Sequence, residues 1–263
     1  MTAICIAAEL VALIGYLLAA VVYPVRLLRP DRDLTAWGLW GLTVGAGLQG
    51  LGLLAHTARQ SEPLLGQYAN VSFLLVVCLC VGLWFIEKRT ERPAIAAFLT
   101  PCVFLVALLG LTRAPQLPGI GAWTVVHIVL LLLAYAAFGL AFAMAMAYLV
   151  NDFFLKHKQV ERLRLLPPLP TADRIGHAAI CVGLPLYTAG LLVAAFKVWH
   201  LHAGLDPKAV LAIANWLVYA VYLVLRDGPG MRGKRLQAFL VLGFVLAMAS
   251  FIFLRHNPVR YHA

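Results

Sequence analysis

Eight long apolar runs separated by short polar connections make up most of this chain. They cover residues 4–23, 36–55, 68–86, 94–112, 122–150, 175–198, 208–225 and 236–254. A helix that crosses about 30 Å of hydrocarbon needs about 20 apolar residues, so each run is long enough to be a span. Open β-structure is excluded at this depth because its backbone groups would lack partners. The pattern predicts an all-α, polytopic membrane protein of about eight transmembrane helices, with residues 1–263 forming a single integral membrane domain.

Local signals refine the ends of these spans. The fifth run is longer than the bilayer requires, which predicts a tilted or protruding helix. Pro185 predicts a kink in the sixth span, and Asp173 and Thr171 are alternative caps at its start. Asp206 and Pro207 predict the start of the seventh span, with Asp206 as the cap and Pro207 in the first helical position.

Composition narrows the class further. Hydrophobic residues make up 63% of the chain and charged residues 12%, about half the charged fraction of a soluble domain. No basic residue precedes the first run, so we interpret that run as a retained span rather than a cleaved signal peptide. The five cysteines lie in or beside apolar runs without a C-x-x-C motif, which favours packing over a thiol-disulfide role.

The basic residues indicate which way the chain is inserted. Of the 21 lysines and arginines, 15 follow the odd-numbered spans and 6 lie on the other side. The positive-inside rule therefore predicts cytoplasmic loops at Arg89, Lys158 and Arg232, and both termini outside. This distribution also accounts for the net charge of +10 without a nucleic-acid partner. We expect a multi-pass protein of a bacterial cytoplasmic (inner) membrane, in contact with membrane lipid.

Histidines are concentrated at the predicted outer face. With this topology only His157 and His177 are cytoplasmic. Six of the eight histidines lie at the outer side: His56, His127, His200, His202, His256 and His262. Amphipathic imidazole rings are common at interfaces, which is the simpler explanation for any one of them. His127 differs because it lies within an apolar span, where an ionisable residue is costly and indicates function or a specific partner.

The spacing of these histidines bears on the kind of site. His200 and His202 would point about 200° apart on a helix, and no H-E-x-x-H or C-x-x-C motif accompanies them, which argues against a small closed zinc site. A pair of histidines from different spans fits bis-histidine ligation of haem. Trp123, Trp199 and Trp216 are candidate walls for such a site. Candidate partners for the propionates are Lys197, Lys208 and Arg255. The alternative for His127 is a hydrogen bond to a hydroxyl or a freed carbonyl of a neighbouring span.

Three segments together carry a resemblance to a known family. They are WTVVHIVLLLLAYAAFG (123–139), DRIGHAAICVGLPLYTAGLLVAA (173–195) and DPKAVLAIANWLVYAVYLVLRDGPGMRGKR (206–235). In order and spacing they resemble segments of the CcsA/HemX-type cytochrome c assembly family. The match spans residues 123–254, and the first four runs agree with that family in character only.

The resemblance implies an eight-span protein that handles haem, here haem b, on the outer face. By position His127 matches the family's first outer histidine, and His262 or its rival His256 falls near the second. The family's tryptophan-rich W-G-x-x-W-x-W-D loop reads here as WHLHAGLD, with Ala203 and Leu205 in place of two tryptophans. This depleted loop is closer to the HemX branch. The candidate haem-binding residues are His127, His262, His256, Trp199, His200, His202, Asp206 and Lys208, with His127 and His262 as iron ligands.

Two functions are therefore expected as alternatives. The first is cytochrome c biogenesis or haem handling, with haem bound through histidines for transport or delivery. The second is a HemX-like regulatory or scaffold membrane protein without bound haem, acting through partner proteins. Other cytochrome c assembly proteins and apocytochrome c are the candidate partners. No catalytic residue is predicted, and the chain would at most be a component of a haem-attachment complex.

Overall fold

A computed structural model describes residues 3–29, 34–60, 68–90, 94–111, 122–200 and 207–256. Within these ranges the chain forms nine helices and no strand. The helices are α1 (Ala3–Leu28), α2 (Thr35–Gln60), α3 (Tyr68–Thr90), α4 (Ala94–Leu111), α5 (Ala122–Lys156), α6 (Val160–Leu163), α7 (Leu169–His200), α8 (Pro207–Asp227) and α9 (Lys234–His256).

The eight long helices correspond to the eight apolar runs, and α6 is one short turn in the connection between the fifth and sixth runs. Among the described residues, five helical segments are long and apolar enough to cross a membrane: Ala7–Leu28, Thr35–Ala55, Ala122–Lys156, Leu169–Phe196 and Ala209–Asp227. Two shorter apolar helical stretches are Phe73–Trp84 and Ile95–Leu108. The prediction of an all-α, polytopic membrane protein is confirmed.

Large apolar side chains remain exposed on the helices. Ile14, Leu192 and Val224 are 64%, 65% and 68% exposed, respectively. In water such surface would be buried, whereas lipid tails are as apolar as leucine and give no reason to bury it. The exposed apolar faces are therefore the faces that meet hydrocarbon.

Several helices extend beyond the predicted runs, and the largest differences, at the end of α5 and the start of α7, are about six residues. Helix α5 continues to Lys156 rather than ending at residue 150, which gives 35 residues and a length of about 52 Å. Helix α7 begins at Leu169, four residues before Asp173. Neither Asp173 nor Thr171 is thus the cap that we expected. The apolar run marks the part inside hydrocarbon, whereas backbone hydrogen bonds extend a helix into polar sequence. Pro207 does begin α8, as predicted.

The chain divides into two compact units. Unit 1 consists of Met1–Pro118 and Val150–Leu169, and unit 2 consists of Gly119–Leu149 and Pro170–Ala263. Helix α5 contributes to both, with its first part in unit 2 and its last part in unit 1.

Unit 1 is built on a close crossing of α1 and α2. A Cβ on Gly41 would lie 2.5 Å from the carbonyl oxygen of Gly15, and a Cβ on Gly15 would lie 2.7 Å from that of Gly41. Only glycine allows the two backbones to approach this closely. Beside the crossing, the hydroxyl of buried Tyr16 donates to Oε1 of Gln49 at 2.7 Å. The hydroxyl of Tyr16 and the amide oxygen of Gln49 are therefore each other's hydrogen-bond partners.

Unit 2 packs α7 against α5 through glycines seven residues apart. An added Cβ on Gly176 would lie 3.4 Å from Cβ of Met144, and on Gly183 2.9 Å from the ring of Phe138. On Gly190 it would lie 2.9 Å from the side chain of Leu131. A seven-residue step returns nearly to the same face of a helix, so these glycines form one stripe that faces α5.

Candidate functional site

His127 lies in the second turn of α5, and its half-buried ring bonds to the neighbouring helix. Its Nδ1 is 2.8 Å from the carbonyl oxygen of Gly190 in α7. Because a carbonyl oxygen only accepts, Nδ1 must carry a proton in this contact. In a neutral ring the lone pair is then on Nε2, the nitrogen that remains capable of binding a metal. Metal-ligating histidines commonly have this arrangement, with the other ring nitrogen donating to a backbone carbonyl.

Gly190 has no side chain, so the backbone of α7 can approach α5 closely at this level. Its carbonyl oxygen therefore lies within hydrogen-bonding distance of His127. A Cβ at this position would be 2.9 Å from Cδ2 of Leu131 and 3.6 Å from Cβ of Leu130, on the turn of α5 that follows His127. A larger residue would have to displace the side chain of Leu131. The missing side chain at Gly190 therefore favours the close approach of α7 to α5 at the level of His127.

Aromatic side chains adjoin His127 at the same end of unit 2. Trp123, one turn earlier in α5, lies 5.9 Å from Phe196 between ring centroids, with an interplanar angle of 45°. Both rings are exposed, Trp123 by 63% and Phe196 by 53%. They form an open aromatic surface of the kind that a flat apolar ligand contacts.

The other predicted site residues are distributed over several helix ends. Trp199 and His200 end α7, Lys208 is in the first turn of α8, and His256 ends α9. His202, Asp206 and His262 lie outside the described residues. Ten residues of α7 separate Gly190 from His200, a rise of about 15 Å. The end of α7 is therefore about three turns away from the level of His127.

A closed metal site is not formed in the described part of the chain. Within those ranges, no group of three or more His, Cys, Asp or Glu side chains could hold a metal ion. The described cysteines, Cys78, Cys80, Cys102 and Cys181, are free thiols.

A charged network at the opposite end of unit 2 was not recognised from the sequence. Asp173 of α7 accepts a 2.6 Å hydrogen bond from Arg226 of α8 and a 2.7 Å hydrogen bond from Gln237 of α9, both on Oδ1. Asp173 and Gln237 are buried. The network joins three helices at one carboxylate. The sequence did contain a signal for this network. Asp173 lies just before the sixth apolar run and Arg226 just after the seventh, so opposite charges lie at the ends of two neighbouring runs.

Between these two ends lies a buried cluster of polar aromatic residues. Tyr187 lies 6.1 Å from Tyr135 between ring centroids, and Phe138 stacks on Tyr219 at 4.2 Å. The hydroxyl of Tyr219 is buried without a hydrogen-bond partner. Such a buried hydroxyl costs free energy.

The fold and these groups define a class: a multi-pass α-helical membrane protein with an imidazole held within a span beside an aromatic surface. Residues 65–257 match the model of the family described as "Cytochrome C assembly protein". The chain belongs to this cytochrome c assembly family. The resemblance noted in the sequence is thereby confirmed at the level of the family.

Individual relatives agree with this assignment. The "Cytochrome c biogenesis protein CcsA" of Guillardia theta is 26% identical over 218 residues, covering 72% of each chain. The CcsA protein of Mesostigma viride is 24% identical over 231 residues, and that of Synechococcus sp. (strain CC9902) is 25% identical over 228 residues. Each alignment covers 72% of this chain and 73% of the relative. No solved structure gives a significant match.

Proposed function

We propose that this protein acts in cytochrome c biogenesis by binding haem at the outer membrane face, for transport or delivery, with His127 as an axial ligand. The second ligand is His262, with His256 as the alternative. The protein lies in a bacterial cytoplasmic membrane with both termini outside. It works with other cytochrome c assembly proteins and with apocytochrome c, and it has no catalytic residue of its own.

The observation that carries this proposal is the hydrogen bond from His127 Nδ1 to the carbonyl of Gly190, at 2.8 Å. The bond orients the ring and places the proton on Nδ1, which makes Nε2 the ligand atom. Haem iron commonly takes such a neutral imidazole as an axial ligand. The residues present therefore fit haem b on the side of the first ligand.

Other groups complete the proposed site. The exposed rings of Trp123 and Phe196 provide an apolar wall next to His127. Lys208, at the start of α8, is the proposed partner of a haem propionate. Trp199, His200, His202 and Asp206 remain the further candidate haem-binding residues of the sequence prediction.

The test is the haem absorbance of purified His127→Ala. We expect the Soret band to be lost, because the variant lacks the imidazole ligand. Free imidazole should partly restore the band by refilling the vacated position. His157→Ala is the matched control, since His157 Nδ1 also lies 2.8 Å from a backbone carbonyl, that of Phe153, on the far end of α5. His157→Ala should keep the wild-type spectrum. Wild-type absorbance in His127→Ala would refute the assignment of the ligand.

A second function rests on the same hydrogen bond. The contact with Gly190 by itself satisfies one ring nitrogen of His127 in an apolar span, so it also supports a purely structural role. In that case the protein is a HemX-like regulatory or scaffold protein without bound haem, acting through partner proteins. Absence of a Soret band in wild-type protein prepared with excess haem, together with a lowered unfolding temperature of His127→Ala, would favour this function.

A further inference from the structure

A cavity lined by arginines lies at the end of unit 2 that is remote from His127. Its volume is about 350 Å³, and it is lined by Pro170, Thr171, Asp173 and Arg174 of α7, by Arg226 of α8 and by Arg232 in the following turn. Arg232 lies between Gly230 and Gly233, whose φ angles of 65° and 101° only glycine adopts readily. This turn places Arg232 beside the start of α7.

Of the three arginines that line this cavity, only Arg226 is neutralised by a carboxylate among the described residues. Arg226 is paired with Asp173, the only carboxylate among the lining residues. Across the described ranges no carboxylate pairs with Arg174 or Arg232. Both side chains belong to exposed residues at the ends of apolar spans, where the phosphate groups of a bilayer lie. The cavity is therefore suited to an anion.

An apolar groove lies on the same helix, closer to the middle of the span. It has a volume of about 490 Å³ and is lined by α7 between Cys181 and Leu192 and by Leu223 of α8. The stretch from Cys181 to Leu192 is about 16 Å long. Ala189 and Pro185 in this stretch leave room that a larger side chain would fill.

The groove and the cavity are aligned along one direction. Arg174, Cys181, Pro185 and Leu192 follow one another at intervals that keep them on one face of α7. On α8, Leu223 and Arg226 are three residues apart, so one helical turn separates the two linings there. An apolar groove that leads to an arginine-lined cavity at the membrane boundary matches the two parts of a phospholipid.

We propose that unit 2 binds one phospholipid with an anionic headgroup. The phosphate lies in the cavity, where Arg174 and Arg232 donate hydrogen bonds to it, and one acyl chain lies along the groove. Guanidinium groups bind phosphate oxygens in a bidentate manner, and basic pockets between spans are suited to anionic headgroups. Arg226 keeps its ion pair with Asp173, so it lines the cavity without adding net positive charge.

Native mass spectrometry of the full-length protein in detergent tests this proposal, with dioleoyl-phosphatidylglycerol and dioleoyl-phosphatidylcholine as probes. We expect the anionic lipid to bind about ten-fold more tightly, which corresponds to about 1.4 kcal/mol. Arg174→Ala with Arg232→Ala should abolish the preference. The matched control is Arg164→Ala with Arg235→Ala, which also removes two exposed arginines but none that line the cavity. It should keep the preference.

A second variant addresses the groove. Ala189→Phe should weaken the binding of phosphatidylglycerol at least about ten-fold by filling the space of the acyl chain, and should leave competition by inorganic phosphate unchanged. Equal binding of the two lipids, or an unchanged preference in the double arginine variant, would refute the proposal. If inorganic phosphate displaced phosphatidylglycerol and Ala189→Phe had no effect on its binding, the cavity would be a site for a small anion. That result would also refute the proposed lipid site.

Discussion

Units 1 and 2 are both built from close-packed apolar helices, but the buried side chains that join their helices carry different charges. In unit 1 the hydroxyl of Tyr16 donates to Gln49, and Thr100 donates to the carbonyl of Ala96 in its own helix. In unit 2 the hydroxyl of Tyr219 is buried without a partner. Unit 2 also contains the carboxylate of Asp173, which joins three helices.

The difference is between a neutral pair in unit 1 and a charged network in unit 2. A neutral pair such as Tyr16 and Gln49 contributes modestly to stability, whereas ionisable groups within apolar spans are costly and are by default candidate functional sites. His127 and the arginine-lined cavity also belong to unit 2. The two ligand sites that we propose therefore both lie in unit 2.

The largest effect that we expect comes from the charged network of unit 2. Asp173→Ala should leave the guanidinium of Arg226, whose side chain is 10% exposed, without its carboxylate. Breaking a buried ion pair in this way costs about 3–5 kcal/mol. Thermal unfolding in detergent should show a large decrease of the midpoint. Lys156→Ala is the control, since it breaks an ion pair of unit 1 with Asp152 in which the lysine side chain is 59% exposed, and it should cost less than Asp173→Ala. Equal effects would remove this distinction between the units.

A smaller effect should follow from Gly41→Ala in unit 1. The added Cβ would lie 2.5 Å from a backbone oxygen of α1, so the helices must separate, at a cost of about 1–3 kcal/mol. Gly47 of the same helix has nothing within 4 Å of an added Cβ. Gly47→Ala should therefore be neutral or stabilising, because alanine favours helix. The unfolding midpoints of the two variants should move in different directions, and a matching decrease would contradict the close crossing of α1 and α2.

The smallest effect concerns two tyrosine hydroxyls. Tyr16→Phe should cost about 1–2 kcal/mol, because it leaves Oε1 of buried Gln49 without its donor. Tyr219→Phe should be neutral or slightly stabilising, because it removes a buried hydroxyl that has no partner. Unfolding midpoints measured side by side would test this contrast. A clear loss of stability in Tyr219→Phe would mean that its hydroxyl is satisfied, for instance by bound water, and would contradict the expected contrast between the two tyrosines.

Much of the helical architecture was predictable because a bilayer permits few solutions. Each apolar run became a long helix, and the segments around His127, Asp173 and Pro207 indicated the family that the comparisons confirm. Boundaries were less predictable. Helix α5 passes residue 150 and α7 begins at Leu169, since backbone hydrogen bonding does not stop where apolar sequence stops. The glycines of α7 at 176, 183 and 190 were visible as a seven-residue spacing but were not recognised as a packing stripe.

The sequence by itself determined the class of this protein, because the cost of an unpaired backbone in hydrocarbon leaves only helices for runs of this length. It also singled out His127, since an imidazole in an apolar span needs a partner. The tertiary structure decided which partner: Gly190 lies 63 residues away, and Arg226 lies 53 residues from Asp173. These pairings depend on how closely α5, α7 and α8 approach one another. That approach is determined by which side chains are absent at the contact, and no local sequence pattern specifies it.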